Sequence, residues 1–177
     1  MERGDEWRER AIRDAVLAGD AAAWRSWYDE HFARLEAYVR WRCGGLNDLA
    51  DDALQDAWLT AVRRLSTFDP GRAPFAAWLR GIAANAVRNA LRSRKRDRSR
   101  PLVAEPQSPS PCEKAERVAR ALAAINPLYE AVLRAKYLEQ LSVEQIAESF
   151  GDTAKAIESR LTRARQAFRE QYERTDE

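Results

Sequence analysis

The chain has 177 residues with a net charge of +2 from 30 basic and 28 acidic side chains, and 45% of its residues are hydrophobic. This is too apolar for a disordered chain, and the length suits one medium domain or two small ones. The charged N-terminus lacks the apolar core of a signal peptide, and no stretch approaches the roughly 18 apolar residues of a membrane-spanning helix. We therefore expect a chain that acts in the cytoplasm without membrane insertion. Because Ala, Leu, Arg and Glu dominate, we also expect an all-α protein.

The first half of the chain predicts a series of helices with one buried face each. A helix runs from about Asp20, its N-cap, to about Arg42, and a shorter one around 12–17 precedes it. Gly44 and Gly45 interrupt the helical spacing. A second long helix begins near Asn47, and its predicted buried face comprises Leu49, Ala53, Leu54, Ala57, Trp58, Ala61, Val62 and Leu65.

A turn at 68–74, which contains Pro-Gly, separates this helix from a third. The third helix starts at Phe75 and is predicted to bury Phe75, Trp78, Leu79, Ile82, Ala83, Ala86, Val87, Ala90 and Leu91. It then enters a strongly basic run. We interpret the helices up to this point as one domain, residues 8–96.

Residues 101–111 hold four prolines together with serines and show no apolar periodicity, which is typical of a flexible linker. Two further helices are predicted beyond it, one with Val118, Leu122 and Ile125, and one with Leu128, Val132, Leu133 and Tyr137. The predicted fold is therefore two small helical domains, 8–96 and 113–173, joined by a flexible Pro-rich linker at 97–112.

The end of the second domain predicts a helix-turn-helix. Ser142 and Gln145 have the spacing of a capping box, and Leu141 and Ile146 that of a hydrophobic staple. This short helix ends at Gly151, and another begins at 152–153. The new helix is predicted to bury Ile157, Leu161, Ala164 and Phe168. A short capped helix and a tight Gly-containing turn before a second helix are typical of this motif.

The basic run at 88–100 indicates a nucleic-acid partner. It contains Arg88, Arg92, Arg94, Lys95, Arg96, Arg98 and Arg100 against Asp97 alone. A solvated helix end explains one or two cations in the last turn, because they complement the helix dipole. Seven cations favour a polyphosphate, whose counterions are released on binding.

The exposed face of the last helix points to DNA as well. Opposite its predicted core face lie Lys155, Glu158, Ser159, Thr162 and Arg163, with Arg160 and Arg165 on the flanks. Side chains at the start of the second helix of such a motif meet base edges in the major groove. The alternative is an ordinary antiparallel helix hairpin with a charged outer face. The capping box, the Gly turn and the basic face together favour DNA binding.

An acidic cluster comprises Asp48, Asp51, Asp52 and Asp56 with Gln55. Asp48, Asp52 and Asp56 form an i, i+4 ladder of like charges, which mildly destabilises an isolated helix. The residues alone leave a solvated face and a protein-binding face equally open. A two-carboxylate hydrolase is weak, because no His, Tyr or metal-ligand set converges on the cluster.

The sequence offers little for catalysis or metal binding. His31 is the only histidine, and Cys43 and Cys112 lack motif spacing, so we expect no metal site, no cofactor and no catalytic residue. The chain is therefore not expected to be an enzyme or to have a small-molecule substrate. Most aromatic residues follow the core spacing. Trp78 and Asn85 share a helix face, which leaves a contact to bases open.

Several motifs resemble a known family. Asp52-Ala-Leu-Gln55-Asp56-Ala-Trp58-Leu59, followed by Phe75-Ala-Ala-Trp78-Leu79-Arg80-Gly-Ile82-Ala83-Ala84-Asn85 and by Arg92-Ser-Arg94-Lys95-Arg96, resembles sigma region 2. Ser142-Val-Glu-Gln-Ile146-Ala147-Glu, followed by Ile157-Glu-Ser159-Arg160-Leu161-Thr-Arg163-Ala164-Arg165, resembles sigma region 4. In this order and at this spacing, the chain resembles an extracytoplasmic-function sigma factor of bacterial RNA polymerase.

The resemblance implies roles, which we carry over as expectations. It implies that the chain binds core RNA polymerase and promoter DNA, recognises the −35 and −10 elements, and assists DNA opening. The expected polymerase-binding residues are Asp48, Asp52, Gln55 and Asp56. The expected −10 residues are Trp78, Asn85, Arg88 and Arg92, and the expected −35 residues are Lys155, Glu158, Ser159, Arg160, Thr162 and Arg163. An anti-sigma factor or other regulatory protein is expected as a further partner.

Two features depart from the family pattern. Glu158 stands where the family often has a base, so the −35 sequence is not transferable from relatives. The turn at 150–155 is also not the commonest version. The alternative function is a stand-alone helix-turn-helix regulator, which explains 142–165 but leaves the acidic ladder and the basic run without a purpose. A helical adaptor explains less.

Overall fold

The computed structural model describes residues 3–98 and 110–174, and these residues form helices without any strand. The helices are α1 (Arg3–Leu17), α2 (Ala21–Arg42), α3 (Asn47–Arg64), a 3-10 turn (Leu65–Thr67), α4 (Phe75–Arg98), α5 (Pro111–Ala124), α6 (Pro127–Tyr137), α7 (Val143–Phe150) and α8 (Ala154–Glu173). The all-α fold predicted from the sequence is confirmed. No described helix is both long and apolar enough to cross a membrane.

The chain divides into two compact units. The first comprises Met1–Arg40 and Asn47–Pro101, and the second comprises Trp41–Leu46 and Leu102–Glu177. The ends of the predicted linker at 97–112 are helical, because α4 continues to Arg98 and α5 begins at Pro111. The central part of that linker, 99–109, lies outside the described residues.

The first unit is built around an aromatic cluster and the packing of α3 on α4. The Trp27 ring stacks on Phe75 with centroids 3.8 Å apart, and Phe68 packs edge-on against both rings. Asp20 caps α2 as predicted, since its Oδ1 accepts the amides of residues 22 and 23. One core prediction is wrong: Val62 is 54% exposed, whereas its neighbour Ala61 is 0% exposed, so the buried face of α3 includes Ala61 and leaves Val62 outside it.

The second unit packs α5, α6 and α7 against α8. Its core includes Leu122, Val132, Ile146, Ile157 and Leu161, with Phe168 partly buried against it. Leu128 and Tyr137, predicted to share the buried face of α6, are 45% and 49% exposed, because only the Val132–Leu133 side of that helix meets the core.

Side-chain caps define the start of each helix in the second unit. The predicted capping box is confirmed: the Ser142 hydroxyl accepts the Gln145 amide, and the Gln145 side chain accepts the Ser142 amide. Ser110 and Glu113 form a second capping box at α5, while Asn126 and Thr153 cap α6 and α8. α7 ends at Gly151, whose φ of 63° is left-handed. Short local sequence motifs therefore determine where the helices of the helix-turn-helix begin and end.

Candidate nucleic-acid and protein-binding surfaces

An acidic surface runs along α3. Its members, all exposed, are Asp48, Asp52, Gln55 and Asp56. Asp51 beside them is partly neutralised, because its Oδ1 lies 3.1 Å from Nη2 of Arg40. Within the described residues, neither Asp52 nor Asp56 has a cation within ion-pair distance. The ladder of like charges is therefore uncompensated along much of the helix.

Two apolar side chains extend this surface and were missed by the sequence analysis. Leu59 is 47% exposed, and Val62 lies on the same helical stripe, one turn beyond Leu59 and two turns beyond Gln55. Burying apolar area releases free energy at about 25 cal/mol per Å². Carboxylates next to exposed apolar residues suit a protein partner better than a purely solvated face. Helical periodicity alone could not predict that these apolar residues are exposed, since Val62 fits a buried stripe equally well.

The predicted −10 residues form one stripe on α4. Trp78 is half-buried at the edge of the aromatic cluster, with its ring centroid 5.2 Å from Phe68 and 5.6 Å from Phe75. Asn85 and Arg88 are exposed, and the Arg88 guanidinium donates a hydrogen bond to the Asn85 side-chain oxygen. Arg92 lies exposed one turn on. The stripe thus joins a partly exposed indole to cationic and amide groups.

The basic run continues this stripe towards the end of α4. Arg96 is exposed one turn beyond Arg92, whereas Arg94 is half-buried. The side chains of Lys95, Asp97 and Arg98, and all of Arg100, lie outside the described residues. Arginines repeated along one helix face favour a polyanionic partner. The helix dipole alone would explain cations in the last turn only.

A groove opens between the N-terminal ends of α6 and α8. It has a volume of about 600 Å³. Its lining residues are Asn126, Leu128 and Tyr129 on the α6 side and Thr153, Lys155, Ala156, Ser159, Arg160 and Arg163 on the α8 side. Four predicted −35 residues therefore meet in one place. The sequence analysis did not identify the α6 side of this groove.

The cations at this groove differ in their partners. Arg160 is half-buried, and its Nη2 lies 2.6 Å from Oδ2 of Asp152. Arg163 is exposed, and its Nη2 donates to the Ser159 hydroxyl at 2.9 Å. Lys155 is exposed as well. One arginine is thus fixed by a carboxylate, while the other is held only by a neutral hydroxyl.

Glu158 and Thr162 lie beside the groove on the exposed side of α8. The Thr162 hydroxyl donates back to the Glu158 carbonyl oxygen at 3.0 Å. In the part of the chain that the structure describes, the Glu158 carboxylate forms no ion pair with Lys155 or Arg163. Internal charge balance therefore does not account for this acid.

His31 is a core residue. It is buried, with its ring centroid 5.1 Å from that of Phe75. Burial lowers the pKa of His31 below its usual value, and the nearby Glu30 carboxylate opposes this only in part. No group of His, Cys, Asp or Glu side chains among the described residues is arranged to hold a metal ion.

Comparison with known families gives two matches in the order of the two units. Residues 11–97 match the family described as Sigma-70 region 2, and residues 115–168 match the family described as Sigma-70, region 4. The first match contains α2, α3 and almost all of α4, and the second contains the helix-turn-helix. Together they cover most of the chain.

Curated relatives align with this chain over most of its length. The ECF RNA polymerase sigma factor SigL of Mycobacterium tuberculosis is 31% identical over 162 residues, which is 87% of this chain and 91% of SigL. BldN of Streptomyces coelicolor, also an ECF RNA polymerase sigma factor, is 27% identical over 171 residues, or 90% of this chain. The alignment spans 64% of the length of BldN.

Among solved structures, CnrH in complex with the cytosolic domain of CnrY is similar to this chain. The TM-score is 0.52 and the sequence identity 26%, over 90% of this chain and 93% of CnrH. The likeness thus extends across both units.

Proposed function

The chain belongs to the extracytoplasmic-function group of sigma-70 family RNA polymerase sigma factors, and from this premise we propose how its surfaces divide the work of transcription initiation. It binds core RNA polymerase in the cytoplasm, directs it to promoters and assists DNA opening, without a cofactor, a small-molecule substrate or catalysis of its own. The observation that carries this proposal is the separation of an uncompensated acidic face on α3 from basic faces on α4 and α8.

The acidic face of α3 is the polymerase-binding surface. Asp48, Asp52, Gln55 and Asp56 provide carboxylates and an amide, and Leu59 and Val62 add apolar area at its edge. Charge complementarity speeds association and excludes like-charged partners, while apolar contact supplies binding energy. Among the described residues, no cation pairs with Asp52 or Asp56, and this supports the role, since pairing with an external base would relieve the repulsion along the helix.

The stripe on α4 contacts the −10 element. Arg88 and Arg92 neutralise phosphates, and Asn85 has the donor and acceptor groups that read base edges. Trp78 offers a partly exposed aromatic face, which stacks on unpaired bases without strong sequence preference. An indole beside arginines suits a strand whose bases have been separated, so this stripe is proposed to hold opened DNA.

The start of α8 contacts the −35 element. Ser159, Thr162 and Arg163 reach base edges, Lys155 and Arg160 contact the backbone, and Glu158 reads a base. The groove between α6 and α8 supports this division, because Lys155, Ser159, Arg160 and Arg163 line it together. An anti-sigma factor or another regulatory protein is proposed as a further partner, since CnrH is known in complex with the cytosolic domain of CnrY.

Two linked measurements test the proposal. The tagged protein is mixed with purified core polymerase and followed by size-exclusion chromatography, and the complex is then used for transcription from a genomic DNA library. We expect co-elution and discrete start sites that require both components. Nanomolar, promoter-specific DNA binding by the free protein at physiological salt, without co-elution, would instead support a stand-alone regulator.

A further inference from the structure

Side chains of helix α1 form hydrogen bonds with the residues at both ends of the loop 69–74, which leads into α4. At the near end, the Arg13 guanidinium donates to the Phe68 carbonyl oxygen at 3.1 Å. At the far end, the Phe75 amide donates to the Glu9 carboxylate, with each carboxylate oxygen 3.0 Å away. The two contacts join residues that are 55 and 66 positions apart in the chain.

Among the described residues near it in sequence, no side chain caps the start of α4. Pro74 precedes the first helical residue, and it has no side-chain acceptor, while the first turn of α4 contains no acid. The amides of Ala77 and Trp78 bond the Pro74 carbonyl, which leaves the first amides of the helix without a local partner. Glu9 accepts the first of them, that of Phe75. A side chain of α1 therefore does what an N-cap side chain does elsewhere.

The residues held by α1 are those on which Trp78 rests. Phe68 and Phe75 are 1% and 0% exposed, and both rings contact the Trp78 ring. Because these rings are fully packed, a shift of either backbone would move the indole with it. Glu9 is itself half-buried, and burial raises its pKa while the Phe75 amide opposes that rise. A carboxylate that is partly removed from water needs a hydrogen-bond donor, and the Phe75 amide is that donor for Glu9.

We propose that Glu9 and Arg13 are positioning residues for Trp78: they fix both ends of the 69–74 loop so that the indole is presented to the opened −10 strand. This inference rests on the proposed role of Trp78 and names residues that set it. Glu9 lies before residue 11, where the match to region 2 begins. Glu9 therefore lies outside that match, whereas Arg13 lies within it.

The test measures promoter opening by the full chain with core polymerase, on a promoter selected from a random library by the wild-type protein. Fluorescence of 2-aminopurine in the −10 region reports the opened fraction. Glu9→Ala is expected to lower the equilibrium constant for opening about tenfold, the scale of losing one helix cap, with unchanged affinity for core polymerase. Glu9→Gln keeps an acceptor for the Phe75 amide and is expected to stay within about twofold of wild type.

Two further variants complete the comparison, one as a control and one as an independent test of the loop contacts. Asp5→Ala removes an exposed acid of α1 without touching the loop and is expected to leave opening unchanged. Arg13→Ala releases the other end of the loop and is expected to act in the same direction as Glu9→Ala, so the inference remains testable if Glu9→Ala fails to fold by circular dichroism. Equal loss with Glu9→Gln and Glu9→Ala would contradict the capping role.

A double-mutant cycle with Trp78→Ala separates the effect of Glu9 on promoter opening from that of Trp78. If Glu9 acts through Trp78, then Glu9→Ala adds little to the loss already caused by Trp78→Ala. An undiminished tenfold effect in the Trp78→Ala background overturns the positioning role while leaving the role of Trp78 intact. If Trp78→Ala alone leaves opening unchanged, the proposed role of Trp78 fails, and the inference fails with it for that separate reason.

Discussion

Arg160 and Asp152 form an ion pair across the first turns of α8, with Nη2 2.6 Å from Oδ2. Asp152 also accepts the Thr153 amide, and that bond, followed by the one from Arg160, holds the pKa of Asp152 below its usual value. Arg160 is thus oriented by a neighbour of the helix cap. Arg163, one turn of helix away, donates to the Ser159 hydroxyl and pairs with no carboxylate in the described part of the chain.

This difference predicts different effects of truncating the two arginines. Arg163→Ala is expected to change the preferred base at one −35 position by about 1–3 kcal/mol, because a guanidinium bonded to a neutral hydroxyl can exchange that bond for guanine O6 and N7. Arg160→Ala is expected to weaken all promoters alike, because a guanidinium held by Asp152 serves as a fixed backbone contact. Output from a promoter library measures both. A changed −35 preference in Arg160→Ala would show that it reads a base.

Glu158→Lys distinguishes base reading from charge balance. A carboxylate repels phosphates, so the role proposed for Glu158 is that of a specific acceptor, for example for a cytosine N4 amino group. The substitution is expected to change the preferred base at one −35 position by about 1–3 kcal/mol. Promoter-library output with the same core enzyme measures this.

The matched control for that experiment is Glu170→Lys, which makes the same charge change at an exposed site towards the other end of α8. We expect it to leave the sequence preference unchanged. A uniform rise across the library with Glu158→Lys, and a steeper salt dependence without a new preference, would mean that Glu158 only adjusts charge.

Reversing Asp52 and Asp56 to Arg is expected to abolish tight binding to core polymerase. Like charges brought into contact cost several kcal/mol in an interface. The helix should survive, because Arg is a good helix former and the repulsion with Asp48 is relieved. Size-exclusion co-elution with core polymerase and circular dichroism measure the two properties. The double variant Asp5→Arg with Asp29→Arg is the charge-matched control, and loss of binding there as well would point to net charge alone.

Ser142→Ala is expected to destabilise the second unit by about 1 kcal/mol, since the Gln145 amide loses its acceptor. For a domain of this size the melting temperature falls by roughly 4–8 °C. Ser149→Ala on the same helix is the control, because the Ser149 hydroxyl donates only to the Ile146 carbonyl. An equal loss in both variants would argue against the capping box.

His31 predicts a loss of stability in mild acid. Its pKa is lowered in the folded state, so the unfolded chain binds more protons near and below the ordinary value of about 6.5. Stability therefore rises with pH through this window and is lost as pH falls below it. Melting temperatures at about pH 7.5 and about pH 5.5 should differ in wild type and differ less in His31→Gln. A pH dependence that His31→Gln leaves unchanged would assign it to other groups.

The features that the sequence predicted well are those encoded within a few residues. The Ser142 capping box, the Asp20 cap and the Gly151 helix end each depend on neighbours within one turn of helix. The match of motif to structure is close there because the physics is local. The Ser110 capping box was equally local, but it stands at the edge of a proline-rich segment that was interpreted as linker.

The features that could not be predicted depend on contacts between distant parts of the chain. No pattern in 1–20 indicates that Glu9 meets the Phe75 amide, because the partner is 66 residues away. Helical spacing also does not decide which edge of a broad apolar stripe faces the core. For this reason Val62 and Tyr137 were wrongly predicted to be buried. The pair of Arg160 and Asp152 likewise required the turn to be folded.

Gly151 has a consequence for how this protein can vary. A Cβ at this position would meet no atom within 4 Å, yet the backbone φ is +63°. Side chains other than that of Asn rarely adopt this conformation, at a cost of about 1–2 kcal/mol. A saturation-mutagenesis profile should therefore show a nearly invariant glycine in an open, solvent-exposed turn. Its intolerance would come from the backbone and would persist whichever promoter is used for selection.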